Sequence, residues 1–251
     1  MRKFLVLLPL VLIVACEKAG PGPGTVLETE GFKAFPSPRT FDPPGRIYRV
    51  DPTGSVFGVT SLKLKSQQGK EEIADYKDTT DISLKQVLET IGVPATKFPV
   101  VAALDFERKR RFETKSVSGV REFVDDEQVD QQLPLALGSI TIRDDNQYYI
   151  IRETVMTDNI DYVSEKSWLV SLGLDAEFQN VVKAHSDLNW GTGKTFSLKK
   201  KFDGLRRVWY KAERLVIELP LGAAPGQLPL VKRGKVAPGE FSLSGPVVEQ
   251  P

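Results

Sequence analysis

The amino-acid sequence predicts an α+β fold, built predominantly from antiparallel β-hairpins with one or two short helices. Three observations support this fold class: two β-rich segments joined by a tight turn, a short segment with matching helix start and stop signals, and a long stretch of alternating hydrophobicity. The folded part spans about residues 46–219 and could comprise two subdomains, 46–137 and 138–219.

The predicted folded part begins with a hairpin. Residues 46–50 and 55–65 are rich in β-forming side chains, and Asp51-Pro52-Thr53-Gly54 lies between them. Aspartate at the first position, proline at the second and glycine at the fourth are the preferences of a type I turn. We therefore expect two paired strands here.

A short helix is predicted to begin after Ser83. Ser83 and Gln86 can form a capping box, and Ile82 and Val87 can form a hydrophobic staple across the helix start. Gly92 then supplies the residue that commonly ends a helix, with a proline two residues later. The apolar side chains between these signals share one helix face: Leu84, Val87, Leu88 and Ile91.

The middle of the chain gives weaker signals. Residues 98–106 form a continuous apolar run with the length of a buried strand. Residues 107–137 are mixed in character, and a helix is expected around 126–132. A second hairpin is predicted from 139–143 and 148–156, which flank a polar four-residue turn.

Residues 168–190 alternate between apolar and polar side chains. Ten of the twelve even-numbered positions from 168 to 190 are apolar, and ten of the twelve odd-numbered positions from 169 to 191 are polar or glycine. This period favours one long or two shorter half-buried strands. A helix over 175–185 is the alternative, because its apolar side chains would share a face. Further strands are predicted at 194–202, 207–211 and 215–219.

The first sixteen residues form a leader. Two basic residues precede an apolar run, residues 4–15, which stops at Cys16, the only cysteine. Ile13-Val14-Ala15-Cys16 resembles the lipobox of bacterial lipoproteins. That resemblance implies that residues 1–15 are a signal peptide and that Cys16 carries acyl chains such as palmitate on its thiol and its new amino terminus. The run is shorter than the roughly 20 residues of a membrane-spanning helix.

The leader also implies a location. Two or more acyl chains make a stable membrane anchor, whereas one chain gives only marginal attachment. Glu17 rather than Asp follows Cys16, which in lipoproteins of two-membrane bacteria implies delivery to the outer membrane. We therefore expect a lipid anchor in the outer membrane with the domain in the periplasm. Display on the cell surface and a single-membrane source are the alternatives.

Both ends of the mature chain are rich in proline and glycine. Residues 17–45 hold six prolines and five glycines, and residues 220–251 hold another six and five. Such composition is typical of extended, weakly packed segments. We predict a tether over 16–45, which includes the lipidated cysteine, and a loosely structured tail over 220–251. The alternative for the tail is that it lies against the domain through its apolar side chains, Leu228, Leu230, Val231 and Phe241.

Composition excludes several function classes. Lys plus Arg number 34 and Asp plus Glu number 33, so the strong basic excess that is typical of nucleic-acid binding is absent. With Cys16 acylated, no thiol remains for a zinc site or a cysteine nucleophile, and His185 is the only histidine. We therefore expect no metal, no cofactor and no nucleic-acid partner.

No complete catalytic pattern is present in the sequence. Gly191-Thr192-Gly193-Lys194-Thr195 resembles the end of a phosphate-binding loop, but Leu188 stands where that loop requires glycine. His185 lacks an accompanying Gly-x-Ser-x-Gly elbow. Asp144-Asp145-Asn146 lacks the spacing and glycine of a calcium loop. The sequence therefore leans against an enzyme, and a carboxylate-based hydrolase is kept as an alternative.

Two groups of residues are candidates for binding. Aromatic side chains could line a ligand or partner surface, although core packing is the competing interpretation. A basic patch could bind anionic headgroups or polysaccharide, at about 1 kcal/mol for each charge near an anionic surface. The aromatic candidates are Trp168, Trp190, Trp209 and Tyr210, and the basic candidates are Arg108, Lys109, Arg110, Arg111, Lys199 and Lys201.

The leading functional hypothesis is a non-enzymatic lipoprotein that is attached to the membrane through Cys16 and binds an envelope protein, a polymer or an amphipathic ligand. The alternative is a membrane-inserting, pore-forming type of protein that uses amphipathic β-hairpins around 168–202. A bilayer-spanning strand needs roughly 9–11 residues, and 168–178 with 194–202 could supply such a hairpin. Lys200 argues against it, because its side chain would point to the apolar side.

Overall fold

The computed structural model describes residues 30–98, 106–219, 228–237, 239–243 and 248–249. Cys16, the signal peptide and residues 99–105 of the predicted buried strand lie outside these ranges. Within them the fold is mostly antiparallel β-sheet with a few short helices, so the β-rich α+β prediction is confirmed with β-structure dominating. The strands are β1 (Phe32–Arg39), β2 (Arg46–Val50), β3 (Val56–Ser61), β4 (Gln67–Ser83), β5 (Lys109–Phe123), β6 (Gln147–Glu165), β7 (Asp187–Asn189), β8 (Thr195–Glu218), β9 (Leu230–Lys235) and β10 (Val248–Glu249). The helices are α1 (Leu84–Ile91), α2 (Asp126–Gly138), α3 (Ser167–Ser171) and α4 (Asp175–Lys183), and Ala95–Lys97 form a 3-10 turn.

The described strands form one sheet around β6 and β8. These two strands pair antiparallel along most of their length, from Tyr148 opposite Leu215 to Glu165 opposite Thr195. The other edge of β6 pairs first with β2 and then with β5, and β4 pairs with β5. The other edge of β8 pairs with β7, β1 and β9. Strands from both predicted subdomains therefore meet on β6, and the proposed division near Gly138 runs through one sheet.

The first predicted hairpin is confirmed as β2 and β3. These strands pair antiparallel, and the Gly54 N–H donates to the Asp51 carbonyl oxygen at 2.9 Å to close the turn. The Asp51 carboxylate also accepts hydrogen bonds from the Thr53 hydroxyl and from the Ser55 N–H. These bonds hold the pKa of Asp51 below its ordinary value. The turn is thus stabilised by the aspartate that predicted it.

The predicted helix after Ser83 is confirmed as α1. The Gln86 N–H donates to the Ser83 hydroxyl at 3.2 Å, and the Ser83 N–H donates to the Gln86 amide oxygen at 3.0 Å, which completes the capping box. Gly92 ends the helix in the left-handed conformation at φ 82°. The apolar face of α1 is fully buried. Local sequence and tertiary packing therefore agree in this helix.

The second predicted hairpin is wrong. Residues 139–143 are described and form no strand. Tyr148 in β6 instead pairs with Arg49 of β2 on one side and with Leu215 of β8 on the other. Because both edges of β6 pair with strands that are distant in the sequence, neither edge is available to residues 139–143. The helix expected around 126–132 is present and longer, as α2.

Long strands replace several shorter predicted ones. The strands predicted at 194–202, 207–211 and 215–219 belong to a single strand of 24 residues, β8, which is irregular near Gly204. Strands β4 and β5, of 17 and 15 residues, were not predicted. In β5 the buried side chains include the polar residues Thr114 and Ser116. The sequence of this strand therefore lacks the alternation of apolar and polar residues by which a half-buried strand is predicted.

The folded part extends beyond the predicted limits. Strand β1 lies within the predicted tether, and Phe32 and Phe35 of this strand are buried. In the predicted tail, β9 pairs with β8, and Phe241 stacks on Tyr149 with 4.3 Å between ring centroids. In the tether, the proline and glycine content outweighed Phe32 and Phe35 in the prediction. In the tail, the contact of Phe241 with the sheet agrees with the alternative that the apolar side chains of this segment lie against the domain.

Candidate functional site

Four long strands, β4, β5, β6 and β8, have one terminus each at the same end of the sheet. Strand β4 ends where β5 begins, with Ser83 opposite Lys109, and β6 ends where β8 begins, with Glu165 opposite Thr195. The contiguous strands β4, β5, β6 and β8 are 15 to 24 residues long, whereas typical strands have about 5–6 residues. At this end of the sheet each pair is joined by a connection whose described residues are largely helical. We call residues 84–108 the first insert and residues 166–194 the second insert.

Both inserts pack on one face of these strands. Successive side chains of a strand point to opposite faces, and the even-numbered residues at this end form a buried cluster with the inserts. Aromatic rings connect the layers. The ring centroid of Phe98 in the first insert lies 6.1 Å from that of Phe178 in the second, which in turn lies 5.4 Å from that of Phe196 in β8. The buried strand residues are Phe112, Tyr162, Phe196 and Leu198, and the insert residues include Leu88, Ile91, Leu169, Phe178 and Val182.

The opposite face of the same strands is charged. Lys115 of β5, Asp161 of β6 and Lys199 of β8 lie opposite one another in adjacent strands. Partial burial raises the pKa of Asp161, and the charges of Lys199 and Lys115 partly offset this effect. This end of the sheet is therefore amphipathic, and the inserts cover its apolar face.

The second insert is helical, so the strand prediction for 168–190 is wrong for most of its length. It contains α3, α4 and the three-residue strand β7, and the alternative helix over 175–185 corresponds to α4. Leu174, Phe178 and Val182 explain the outcome, because residues four apart share a helix face as well as a strand face. All three are buried against the sheet. Packing on the sheet selected the helix from a sequence compatible with both.

The helices of the second insert are weakly specified by their own sequence. Among the described residues, no side chain caps the start of α3 or α4, which have five and nine residues. Isolated helices of this length are not stable in water, so packing must hold them. Two apolar side chains of this insert also remain in solvent: Val170 is 51% exposed and Leu172 is 43% exposed.

The pairing of β6 with β8 continues into the second insert. The Lys166 N–H donates to the Lys194 carbonyl oxygen at 2.9 Å, which extends the pairing of Glu165 with Thr195 by one position. Paired residue numbers in this register add up to 360. Continued further, the register would place Val170 opposite Trp190, Leu172 opposite Leu188, Leu174 opposite Ser186, Ala176 opposite Ala184 and Phe178 opposite Val182.

In that continued pairing, the even-numbered residues would lie on the same face of the sheet as the apolar residues of β6 and β8. The other face would be polar apart from Leu169 and Val181, with Glu177 opposite Lys183 and Asp175 opposite His185. Opposite charges directly across an antiparallel pair are stabilising. The second insert thus has the sequence of an amphipathic hairpin in register with the strands that flank it. The first insert lacks this pattern, since Gln86 and Thr90 interrupt its even positions.

The structure separates the predicted aromatic site residues. Trp209 and Tyr210 in β8 are 0% and 1% exposed. Both side chains belong to the core, so they line no ligand surface. The competing interpretation, core packing, applies to these two residues. Trp168 and Trp190 are partly buried in the second insert. The Arg110 guanidinium lies 4.2 Å from the centroid of the Trp168 ring, which ties α3 to the start of β5.

The predicted basic patch is also divided. Arg111, Lys199 and Lys201 are exposed, and they lie on the charged face at positions with odd numbers. Arg110 lies on the face covered by the inserts, where it contacts Trp168. The remaining two are Arg108, exposed just before β5, and Lys109, the first residue of β5.

Two of the three patterns considered for chemistry occupy exposed positions, one leading into β8 and one after α4. Thr195 begins β8, so the Gly193-Lys194-Thr195 sequence leads into a strand and not into the helix that a phosphate-binding loop needs. His185 is exposed just after α4. The residue that sequence reasoning missed is Lys166, whose contacts join the two ends of the second insert. Nothing in its local sequence distinguishes it from other lysines.

In the part of the chain that the structure describes, no helix combines the length and apolar character that crossing a membrane requires. No family model matches the sequence, and no curated protein matches it at a significant level. Among solved structures, the chain is similar to a bacterial gasdermin from Bradyrhizobium tropiciagri, with a TM-score of 0.46 and 12% sequence identity, over 84% of this chain and 89% of that one. At this TM-score the similarity establishes neither a shared fold nor a shared function.

Proposed function

We propose that this protein is a lipid-anchored, membrane-inserting protein. In this proposal the second insert leaves the end of the sheet and extends β6 and β8 into a bilayer as an amphipathic β-hairpin. The observation that carries the proposal is the match between register and hydrophobicity. The hydrogen bond between Lys166 and Lys194 continues a pairing in which the apolar side chains of the insert, except Leu169 and Val181, fall on one face.

The length of the insert suits this role. Residues 168–178 and 182–192 would supply two strands of eleven residues each, joined by a turn at 179–181. A bilayer-spanning strand needs roughly 9–11 residues. Lys166 and Lys194 would flank the span, at the level where basic side chains reach the headgroups. Lys200 lies outside this span, so its position no longer argues against insertion.

The change of environment is energetically reasonable for the apolar side chains. Phe178 and Val182 would leave a protein core for lipid, so both environments are apolar. Val170 and Leu172, which are exposed in the folded protein, would leave water for lipid, at roughly 25 cal/mol for each Å² of apolar surface removed from water.

Backbone pairing sets a further requirement. Unpaired N–H and C=O groups are costly in lipid, and a single hairpin leaves both outer edges unpaired. Insertion therefore requires the hairpin to pair with further strands, which neighbouring copies of the chain could supply. The anchor expected at Cys16 supports this requirement, because lipidated copies concentrate in one membrane plane. The outer membrane with a periplasmic domain is the location we propose.

Dye release from liposomes tests the proposal. Leu172→Asp changes a side chain that is 43% exposed in the folded protein, so folding should be preserved. In the inserted hairpin the same side chain would face lipid, where a charge costs roughly 2–3 kcal/mol. We expect wild-type protein to release dye and Leu172→Asp to reduce the rate by at least about tenfold.

Asn189→Asp is the matched control, because it adds the same charge at an exposed residue that would lie on the polar face of the hairpin. This variant should release dye at nearly the wild-type rate. Absence of dye release by the wild-type protein at high concentration, or equal release by both variants, would overturn the proposal.

The binding-module hypothesis is less well supported by the geometry. Two of its four aromatic surface candidates, Trp209 and Tyr210, are buried. An envelope protein, a polymer or an amphipathic ligand as partner therefore stays a prediction, as does the carboxylate-based hydrolase.

A further inference from the structure

We infer that Lys166 is a latch that keeps the second insert in its helical form. The inference rests on the proposed function in one respect only, namely that opening of the insert leads to membrane insertion. The latch itself is a statement about the protein in solution. It is carried by the contacts that the side chain and the backbone of this one residue make.

The Lys166 side chain holds the far end of the insert. Its ammonium group donates hydrogen bonds to the carbonyl oxygens of Trp190 at 3.1 Å and Gly191 at 2.9 Å. The same ammonium lies 5.5 Å from the centroid of the Trp190 ring. An ammonium group has three donors and no acceptor, and hydrogen bonds from charged donors are stronger than neutral ones. These contacts fasten the start of the insert to the turn between β7 and β8.

One of the two carbonyl groups bound by the Lys166 ammonium, that of Trp190, is a group that a longer ladder between β6 and β8 would need. In an antiparallel pair, hydrogen-bonded positions alternate with non-hydrogen-bonded ones. The Lys166 N–H already bonds to the Lys194 carbonyl oxygen. The later hydrogen-bonded pairs would therefore join residues 168 and 192, and then Val170 and Trp190. In that second pair the Val170 N–H would donate to the Trp190 carbonyl oxygen.

In the folded protein, Lys166 already forms hydrogen bonds with both groups of that future bond, the Val170 N–H and the Trp190 carbonyl oxygen. The Val170 N–H donates to the Lys166 carbonyl oxygen at 3.1 Å, within α3, while the Trp190 carbonyl oxygen accepts from the Lys166 ammonium. The ladder of β6 and β8 is thus stopped one position beyond the strands. Release of the ammonium would free the Trp190 carbonyl for pairing and would loosen the turn that precedes β8.

Lys166→Met tests the latch, because it keeps the length of the side chain and removes its donors. We expect amide hydrogen exchange in residues 166–194 of the full chain in solution, without lipid, to become roughly three- to tenfold faster. Lys166→Arg, which retains charge and donors, should restore slow exchange. Lys194→Met removes the same charge from an exposed neighbouring position and should leave exchange unchanged.

Dye release from liposomes is then measured for the same variants. If Lys166→Met accelerates both exchange and release, the latch and the proposed function are both supported. If exchange accelerates while no variant releases dye, the latch stands and the proposed function fails. Unchanged exchange in Lys166→Met, or equal acceleration in Lys194→Met, would overturn the latch whatever the release experiment shows.

Discussion

Glu122 is a buried carboxylate in the middle of the sheet, 3% exposed. Its two oxygens accept hydrogen bonds from Nε and Nη2 of Arg207 at 2.7 and 2.8 Å, from the Thr154 hydroxyl at 2.9 Å and from the Ser66 hydroxyl at 2.8 Å. The same guanidinium donates to the Thr40 carbonyl oxygen at 2.6 Å. The pair of Glu122 and Arg207 therefore connects β5, β6 and β8 with the β1–β2 connection at Thr40 and the β3–β4 connection at Ser66.

Glu122→Gln should destabilise the protein strongly. The amide presents an N–H₂ group to a network of donors and leaves Arg207 without its counter-charge. Removing one partner of a buried ion pair costs about 3–5 kcal/mol, and we expect a loss near the lower value. Urea unfolding followed by tryptophan fluorescence measures it. Glu113→Gln, a change at a more exposed position of the same strand, should cost much less.

The same residue gives a pH dependence with a defined sign. Burial raises the pKa of Glu122, but hydrogen bonds from Arg207 and Ser66 and the charge of Arg207 outweigh it, so the pKa lies below its ordinary value of 4.5. A depressed folded-state pKa stabilises the fold above the ordinary pKa, and this contribution is lost as pH falls through the folded-state value. The stability difference between wild type and Glu122→Gln should therefore shrink below about pH 4. A difference that stayed constant down to about pH 2 would contradict this assignment.

At this scale the sequence could predict only local partners. The aspartate of the first turn and the capping pair of Ser83 and Gln86 were both predictable, because each contacts residues within four positions of itself. Glu122 and Arg207 are 85 positions apart, and Lys166 reaches residues 24 and 25 positions away. Contacts of that separation exist only after the strands have paired.

Among the larger elements, the second insert carries two conflicting signals. Its hydrophobic period favours a strand, and the stripe of Leu174, Phe178 and Val182 also allows a helix. Conflict between local pattern and adopted structure is expected at functional positions. In the first insert the capping box, the helix stripe and the structure agree. We therefore expect conversion to β-structure to be confined to residues 166–194.

A cross-link tests this conversion directly. Ser171 and Asn189 would lie opposite each other in the continued register, at a non-hydrogen-bonded position where side chains approach closely. In the folded protein Asn189 is paired with Ser197 instead. Acylation of Cys16, as proposed, would leave no native free thiol and would keep the anchor. In that protein we expect Ser171→Cys with Asn189→Cys to lose free thiols on mild oxidation only when liposomes are present.

The control for the cross-link pairs Ser171→Cys with Leu188→Cys. These two side chains would lie on opposite faces of the hairpin, beyond the Cβ separation of about 4 Å that a disulfide needs. Oxidation should leave their thiols free in both conditions. Equal cross-linking of both double variants, or cross-linking that does not depend on liposomes, would contradict the register.

For the whole molecule, the described residues 239–243 near the C-terminus contribute to the core, through Phe241 and Leu243. Phe241 is 2% exposed, stacks on Tyr149 and lies 6.1 Å from the rings of both Tyr48 and Tyr210. Its carbonyl oxygen accepts a hydrogen bond from the Lys33 ammonium at 2.7 Å. Residues near the two ends of the described chain therefore meet on the same part of the sheet.

Phe241→Ala should lower the free energy of unfolding by about 3–5 kcal/mol, because it removes a large buried ring and leaves a cavity among three tyrosines. Thermal unfolding followed by circular dichroism measures the loss. Ser242→Ala, at the exposed neighbouring position, should change the melting temperature little. A Phe241→Ala protein as stable as wild type would show that this segment does not contribute to the core.

The sequence by itself determined the β-rich class, the first hairpin and helix α1, because each depends on contacts between residues close in the chain. It also predicted the leader and anchor, which lie outside the described residues. Only the tertiary structure decided the length of the four paired strands, the burial of Trp209 and Tyr210, and the two helices of the second insert, Ser167–Ser171 and Asp175–Lys183. The physical reason is the same in each case. A strand partner, a core position or a helix held by packing depends on residues far away in the chain, and the alternation in 168–190 fits both the helix seen here and the hairpin that we propose.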